Sequence, residues 1–217
     1  MAETHEHLQA LTEIRSLMER SSKFLSLSGL SGISAGIVAL AGAGAAYARL
    51  QNNHLNLLSY ERMSRLTGPA RQEMVNFLIV DGVVVLVTAL VFGILFTIRK
   101  ARRQGQNVWN PTSKRLLSAL LVPLVTGGIF CIALIRFNLI WLTFPTTLIF
   151  YGLALYSGSK YTVRDVEYLG LSEIVLGLLA LFWTGFSLLT WALGFGVMHI
   201  VYGTVMYIKY ERDQPKR

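Results

Sequence analysis

The stretch FLIVDGVVVLVTALVFGILFTI, Phe77 to Ile98, decides the fold. It holds one formal charge, Asp81, and no Lys or Arg. A helix of about 20 apolar residues spans the roughly 30 Å hydrocarbon core of a bilayer. Apolar and polar residues do not alternate along it, which argues against a strand of an outer-membrane barrel. The stretch therefore reads as a membrane-crossing helix.

Five more runs of this kind flank it, at about 29–48, 116–135, 138–156, 171–189 and 191–208. Glu173 is the only formal charge within these five. Composition agrees: 53% of the chain is hydrophobic and 15% charged, against about 25% charged in a soluble domain. Mean hydropathy is +0.49. Soluble, disordered and disulfide-scaffold classes are excluded, the last because Cys131 is the single cysteine. The expected fold is all-α: a polytopic membrane protein, a bundle of six transmembrane helices over residues 26–210. An amphipathic amino-terminal helix (1–25) precedes it and a short charged tail (211–217) follows.

The net charge of +8 resembles a nucleic-acid signal, but orientation explains it better. With the amino terminus in the cytosol, the outer side holds only Arg49, Arg62, Arg65, Arg71 and Arg136. All other cations fall inside, including six in the 99–115 loop: Arg99, Lys100, Arg102, Arg103, Lys114 and Arg115. The positive-inside rule then puts both termini in the cytoplasm of an inner-membrane protein. Ala46-Tyr47-Ala48 has the form of a signal-cleavage site, but the acid-rich leader before the first run speaks against cleavage.

The runs repeat. Gly29-Leu30-Ser31-Gly32-Ile33-Ser34-Ala35-Gly36 matches Gly170-Leu171-Ser172-Glu173-Ile174-Val175-Leu176-Gly177 at Gly, Leu, Ser, Ile and the closing Gly. The even runs share an aromatic residue followed by glycine: Phe92-Gly93, Tyr151-Gly152 and Tyr202-Gly203. We read three tandem hairpins, at about 29–98, 116–156 and 171–208. Gly32, Gly36, Gly93, Gly152 and Gly203 are the expected helix-packing positions, since small residues let backbones approach where lipid supplies little hydrophobic drive. This pattern, carried by Gly170 to Gly177 and by Phe150 to Gly158, resembles that of the HdeD-like family of bacterial six-helix membrane proteins. The long amino-terminal helix and longer first outer loop depart from it. The resemblance implies an inner-membrane protein linked to acid or envelope stress, and it carries over no catalytic residue.

Outside the runs, Leu8, Leu11, Ile14, Leu17, Met18 and Phe24 recur at helical spacing over residues 4–24. That helix lies on the membrane, packs beneath the bundle or binds a partner. His5 and His7 near its start read as solvated rather than as metal ligands. The outer loop 50–75 holds a second amphipathic pattern, Leu55, Leu58, Met63 and Leu66, ended by Gly68-Pro69. The basic 99–115 loop, with Trp109, suits contact with anionic lipid; Asn110-Pro111 marks a helix start.

No phosphate loop, nucleotide fingerprint, zinc spacing or nucleophile elbow is present, so no enzyme activity, cofactor or metal is expected. Ionisable residues within membrane spans are the default functional candidates. His199 lies eight residues beyond Trp191, about 12 Å deeper, with Tyr202 on its side of the helix; cross-helix hydrogen bonding is the simpler role. Glu173 reads as near the inner edge of its span, paired with an inner-loop cation. Asp81 reads as near the outer edge, paired with Arg136 or Arg71. Pro123 and Pro145 are expected to kink their spans. Two functional classes follow: a structural or regulatory bundle, with a homo-oligomer as one form, or a small transporter whose path is lined by His199, Glu173 and Thr184.

Overall fold

The computed structural model describes residues 27–52, 68–105 and 107–212. The amphipathic patterns of 4–24 and of 55–66, and most of the 211–217 tail, lie outside the described residues. The described residues form helices and no strand: α1 (Gly29–Asn52), α2 (Gly68–Arg103), α3 (Pro111–Arg136), α4 (Thr143–Ser159), α5 (Asp165–Phe182) and α6 (Ser187–Tyr210). Short 3-10 turns at Ile140–Leu142 and Thr184–Phe186 lead into α4 and α6. Residues Ala192–Met198 within α6 are π-helical.

Local chemistry sets the boundaries. Asn110 caps α3 reciprocally with Ser113, and Pro111 occupies the first turn, where its missing N–H costs nothing. Asp165 and Glu167 sit in the first turn of α5, at the positive end of its dipole. Pro145 also lies in a first turn, that of α4, so it removes no intrahelical bond and needs no kink. Pro123 does lie inside α3.

Five helices are long and apolar enough to cross a membrane: α1, α2, α3, α4 with its leading turn, and α6. Six were expected. The fifth run, 171–189, is replaced by α5, which starts at Asp165 and ends at Phe182. Its 18 residues, about 27 Å, are long enough and mostly apolar, but Asp165, Glu167 and Glu173 put three acids into that one length.

Chain neighbours α1 and α2 pack together, as do α3 and α4. In the expected third hairpin, 171–208, the two helices touch each other, but α5 lies chiefly on α4, and α6 chiefly on α1. Glycines explain the exchange. A methyl on Gly29 would stand 2.5 Å from the Gly203 carbonyl oxygen, and one on Gly203 would stand 2.7 Å from the Gly29 oxygen. The same reciprocal crossing joins Gly170 and Gly152, at 2.8 and 2.6 Å. Two turns along α1 and α5, Gly36 meets Ile200 and Gly177 meets Ile149, each glycine's missing methyl 3.0 Å from the isoleucine nitrogen. The two repeated motifs thus make two equivalent helix crossings. Gly32 joins the first, its missing methyl 3.1 Å from the Gly203 Cα. Gly93 does not behave as expected: nothing lies within 4 Å of its would-be Cβ, because α2 packs chiefly along α1 and turns this position away from it.

Apolar plugs close both ends of the bundle. Ala43, Ala46, Leu50, Met74 and Leu188 form one; Val163, Val166 and Met206 form the other. A polar clip reinforces the second end. Glu211 accepts from the Gly29 backbone N–H (2.5 Å) and the Ser28 hydroxyl (3.2 Å), capping α1 from the far end of the chain. Buried Lys100 donates to the Leu27 carbonyl at 2.6 Å and faces Glu211 at 3.4 Å. Asp165 receives Tyr210 at 2.6 Å and pairs with Lys209 at 3.0 Å. Around the outside runs a wide apolar surface: α2 buries only Met74, Val85, Lys100 and Ala101, and Ile132 of α3 is 68% exposed. An apolar surface of this extent is what a bilayer covers.

Candidate functional site

Between the two apolar plugs the bundle contains a polar centre. Tyr151, Glu173 and His199 are each close to the middle of their helix: residue 151 within 143–159, 173 within 165–182 and 199 within 187–210. Each is about 12 Å or more from the nearer end. The level is that of the bilayer midplane if the helices cross it.

Glu173 does not pair with an inner-loop cation. Because α5 begins at Asp165, its carboxyl lies mid-helix, fully buried, with Oε1 3.3 Å from Nδ1 of His199. It occupies the place that Gly32 holds in the other crossing. Gly194 makes room for it, since a methyl there would overlap Oε2 and the Leu148 side chain.

The two ring nitrogens of His199 face different partners. Nδ1 lies 3.0 Å from the Gly194 carbonyl oxygen and 3.3 Å from the Glu173 carboxyl. Two acceptors on one side assign the hydrogen to Nδ1. Nε2 then accepts from the Tyr151 hydroxyl at 2.9 Å. The Nδ1 bond reaches back five residues along α6, through the π-helical segment. Such segments occur often at functional sites. Trp191, Phe195 and His199 form a ladder of rings along α6, with centroids 5.0 and 5.8 Å apart. Tyr151 packs on both Phe195 and His199, at 5.0 and 5.3 Å.

The centre leaves one debt. Neither oxygen of Glu173 has a hydrogen-bond partner, although both are buried. Burying such a group without a partner costs about 1–3 kcal/mol, more when it is charged. Chemically, the arrangement can hold a proton and move it between a carboxyl and an imidazole. Among the described residues no three His, Cys, Asp or Glu side chains gather as a metal site would require.

The other candidates lie apart. Asp81 forms no ion pair among the described residues. Its carboxyl lies against α1, the oxygens 3.5 and 3.6 Å from the missing methyl of Gly42. Arg71 instead donates to Asn138 at 2.5 Å. Tyr202 is half-buried on α6 and takes no part in the centre; its repeat counterpart Tyr151 is the tyrosine that does. The signal for Tyr151 was present in the repeat: Glu173 replaces Gly32 on one odd helix, and Tyr151-Gly152 belongs to the even helix that crosses it.

Comparison with known proteins adds no relative: no family model, curated protein or solved structure matches the chain.

Proposed function

We propose that the protein is a bundle of six membrane-spanning helices in a bacterial inner membrane, with both termini cytoplasmic. Its role is structural or regulatory rather than catalytic. One observation carries this reading. The midpoint of the bundle, where a permeation path would be wet, is close-packed. Glu173 is 0% and His199 5% exposed there, and glycine crossings flank them. The sixth span is α5, whose length suffices and whose central acid faces protein rather than lipid. The cationic 99–115 segment, where Lys114 lies 6.0 Å above the Trp109 ring, sits among anionic headgroups. The open faces of α2 and α3 meet lipid, or a second copy in a homo-oligomer. The setting of envelope or acid stress follows from the resemblance to HdeD-like proteins.

A second reading, a small transporter with a path past His199 and Glu173, is favoured by the unpartnered Glu173 oxygens. Intramembrane carboxyls of this kind mark proton and ion pathways. One experiment separates the two. Purified protein is reconstituted into liposomes enclosing a pH-sensitive dye, and His199→Phe is compared with wild type. The bundle reading expects no protein-dependent flux in either and a less stable variant, by about 1–3 kcal/mol. A wild-type flux that disappears in a folded His199→Phe protein overturns it.

A further inference from the structure

We infer that Glu173, His199 and Tyr151 form an intramembrane proton-binding centre whose occupancy regulates how firmly α5 holds α6. The inference deepens the bundle reading and rests on it for the placement of this level within the membrane.

Counting hydrogens leads there. Tyr151 spends its hydroxyl hydrogen on Nε2 of His199. The hydrogen on Nδ1 is directed to the Gly194 carbonyl at 3.0 Å. Glu173, 3.3 Å away, receives none, and both its oxygens are sealed from solvent. The ligand this site lacks is therefore a hydrogen on the carboxyl. Binding is a simple addition: a proton joins a carboxylate oxygen and the centre passes from net −1 to neutral, the imidazole unchanged. Occupied, the carboxyl packs against Gly194 as a neutral group. Empty, it places an unbonded anion against the π-helical turn of α6, in surroundings that cannot solvate it. The π-helical turn is where α6 can yield, because its hydrogen bonds are already displaced from the α-helical ladder.

Charged neighbours do not compensate. α4 brings Tyr151 and α6 brings His199. α1, on the other side of α6, has no titratable residue from Gly29 to Ala46 and sets Gly32 against the His199 carbonyl. α3, behind α4, brings Cys131. Asp81 of α2 lies against Gly42 of α1. On α5 itself, Asp165 is held by Lys209 and Tyr210 at the helix end.

The test is the unfolding midpoint of full-length protein in detergent, from about pH 4 to pH 8, for wild type and Glu173→Gln. Glutamine imitates the protonated acid and cannot lose its charge-neutral state. The expected result is a difference that changes with pH, by several degrees across the range, with the variant gaining on wild type as pH rises. Glu173→Leu removes the carboxyl altogether. Its difference from wild type is expected to depend on pH in the same sense, and this variant serves if Glu173→Gln does not fold. In either folded variant, an offset that is constant at every pH, or no offset, overturns the inference. The liposome flux fails or succeeds separately: a flux sinks the closed bundle and leaves the proton site standing, while a constant offset does the reverse.

Discussion

Gly203→Ala tests the crossing that fastens the last helix to the first. The added methyl would stand 2.6 Å from the Ile33 nitrogen, 2.7 Å from the Gly29 oxygen and 3.0 Å from the Gly32 carbonyl carbon. Comfortable contact begins near 3.5 Å, so α1 and α6 must part by about 0.9 Å. All three atoms are backbone, and no side chain can swing aside to absorb the strain. Overpacking of this kind costs about 1–3 kcal/mol. For a chain of this size each kcal/mol lowers the midpoint by roughly 2–4 °C, giving a loss of about 2–12 °C in a circular-dichroism melt in detergent. Gly93→Ala is the control. Its repeat position is the same, yet nothing lies within 4 Å, so it should be neutral or slightly stabilising, by up to about 1 kcal/mol of helix propensity. Gly29→Ala combined with Gly203→Ala should cost less than the two singles together, because one parting of the helices relieves both. If Gly203→Ala melts with Gly93→Ala, the crossing does not bear on stability as argued.

Glu211→Gln removes the carboxylate that caps α1 and leaves Lys100 without its ion partner. A loss of about 0.5–2 kcal/mol is expected by the same melt, in line with other helix caps, and an unchanged midpoint would contradict the clip. Single-tryptophan proteins retaining Trp109 or Trp183, 63% and 61% exposed, should be quenched more by lipids brominated near the headgroup than by lipids brominated near the chain end. The opposite order would refute the reading that puts Trp109 at the inner membrane face and Trp183, the residue that follows α5, at the outer one.

Hydropathy alone located most of the helices, because an unbroken apolar run such as Phe77 to Ile98 has few other uses. It misplaced α5. The apolar run is counted from Leu171, past the acids of the inner loop, whereas a helix begins where its dipole is satisfied, at Asp165. That six-residue difference moved Glu173 from an edge to the middle and changed its partner from a lysine or arginine to His199. The glycine pattern named Gly32, Gly36, Gly152 and Gly203 correctly as contact positions but could not say which helix each would meet. Similar motifs fit one another whether or not they are neighbours in the chain, so the closest crossings of α5 and α6 are with α4 and α1 rather than with each other. Gly93 carries the motif without the contact. The π-helical turn left no mark in the sequence, since a spacing of five, Gly194 to His199, matches neither helical nor strand periodicity.

The union of the first and last helices has a consequence for biogenesis. Gly29 and the carboxylate that caps it are separated by 182 residues of sequence, so α1 enters the membrane long before its mate is synthesised. Until translation delivers α6, the glycine groove of α1 has no native occupant, and a ribosome stalled after α5 would leave an unfinished assembly that membrane proteases could recognise by that open groove.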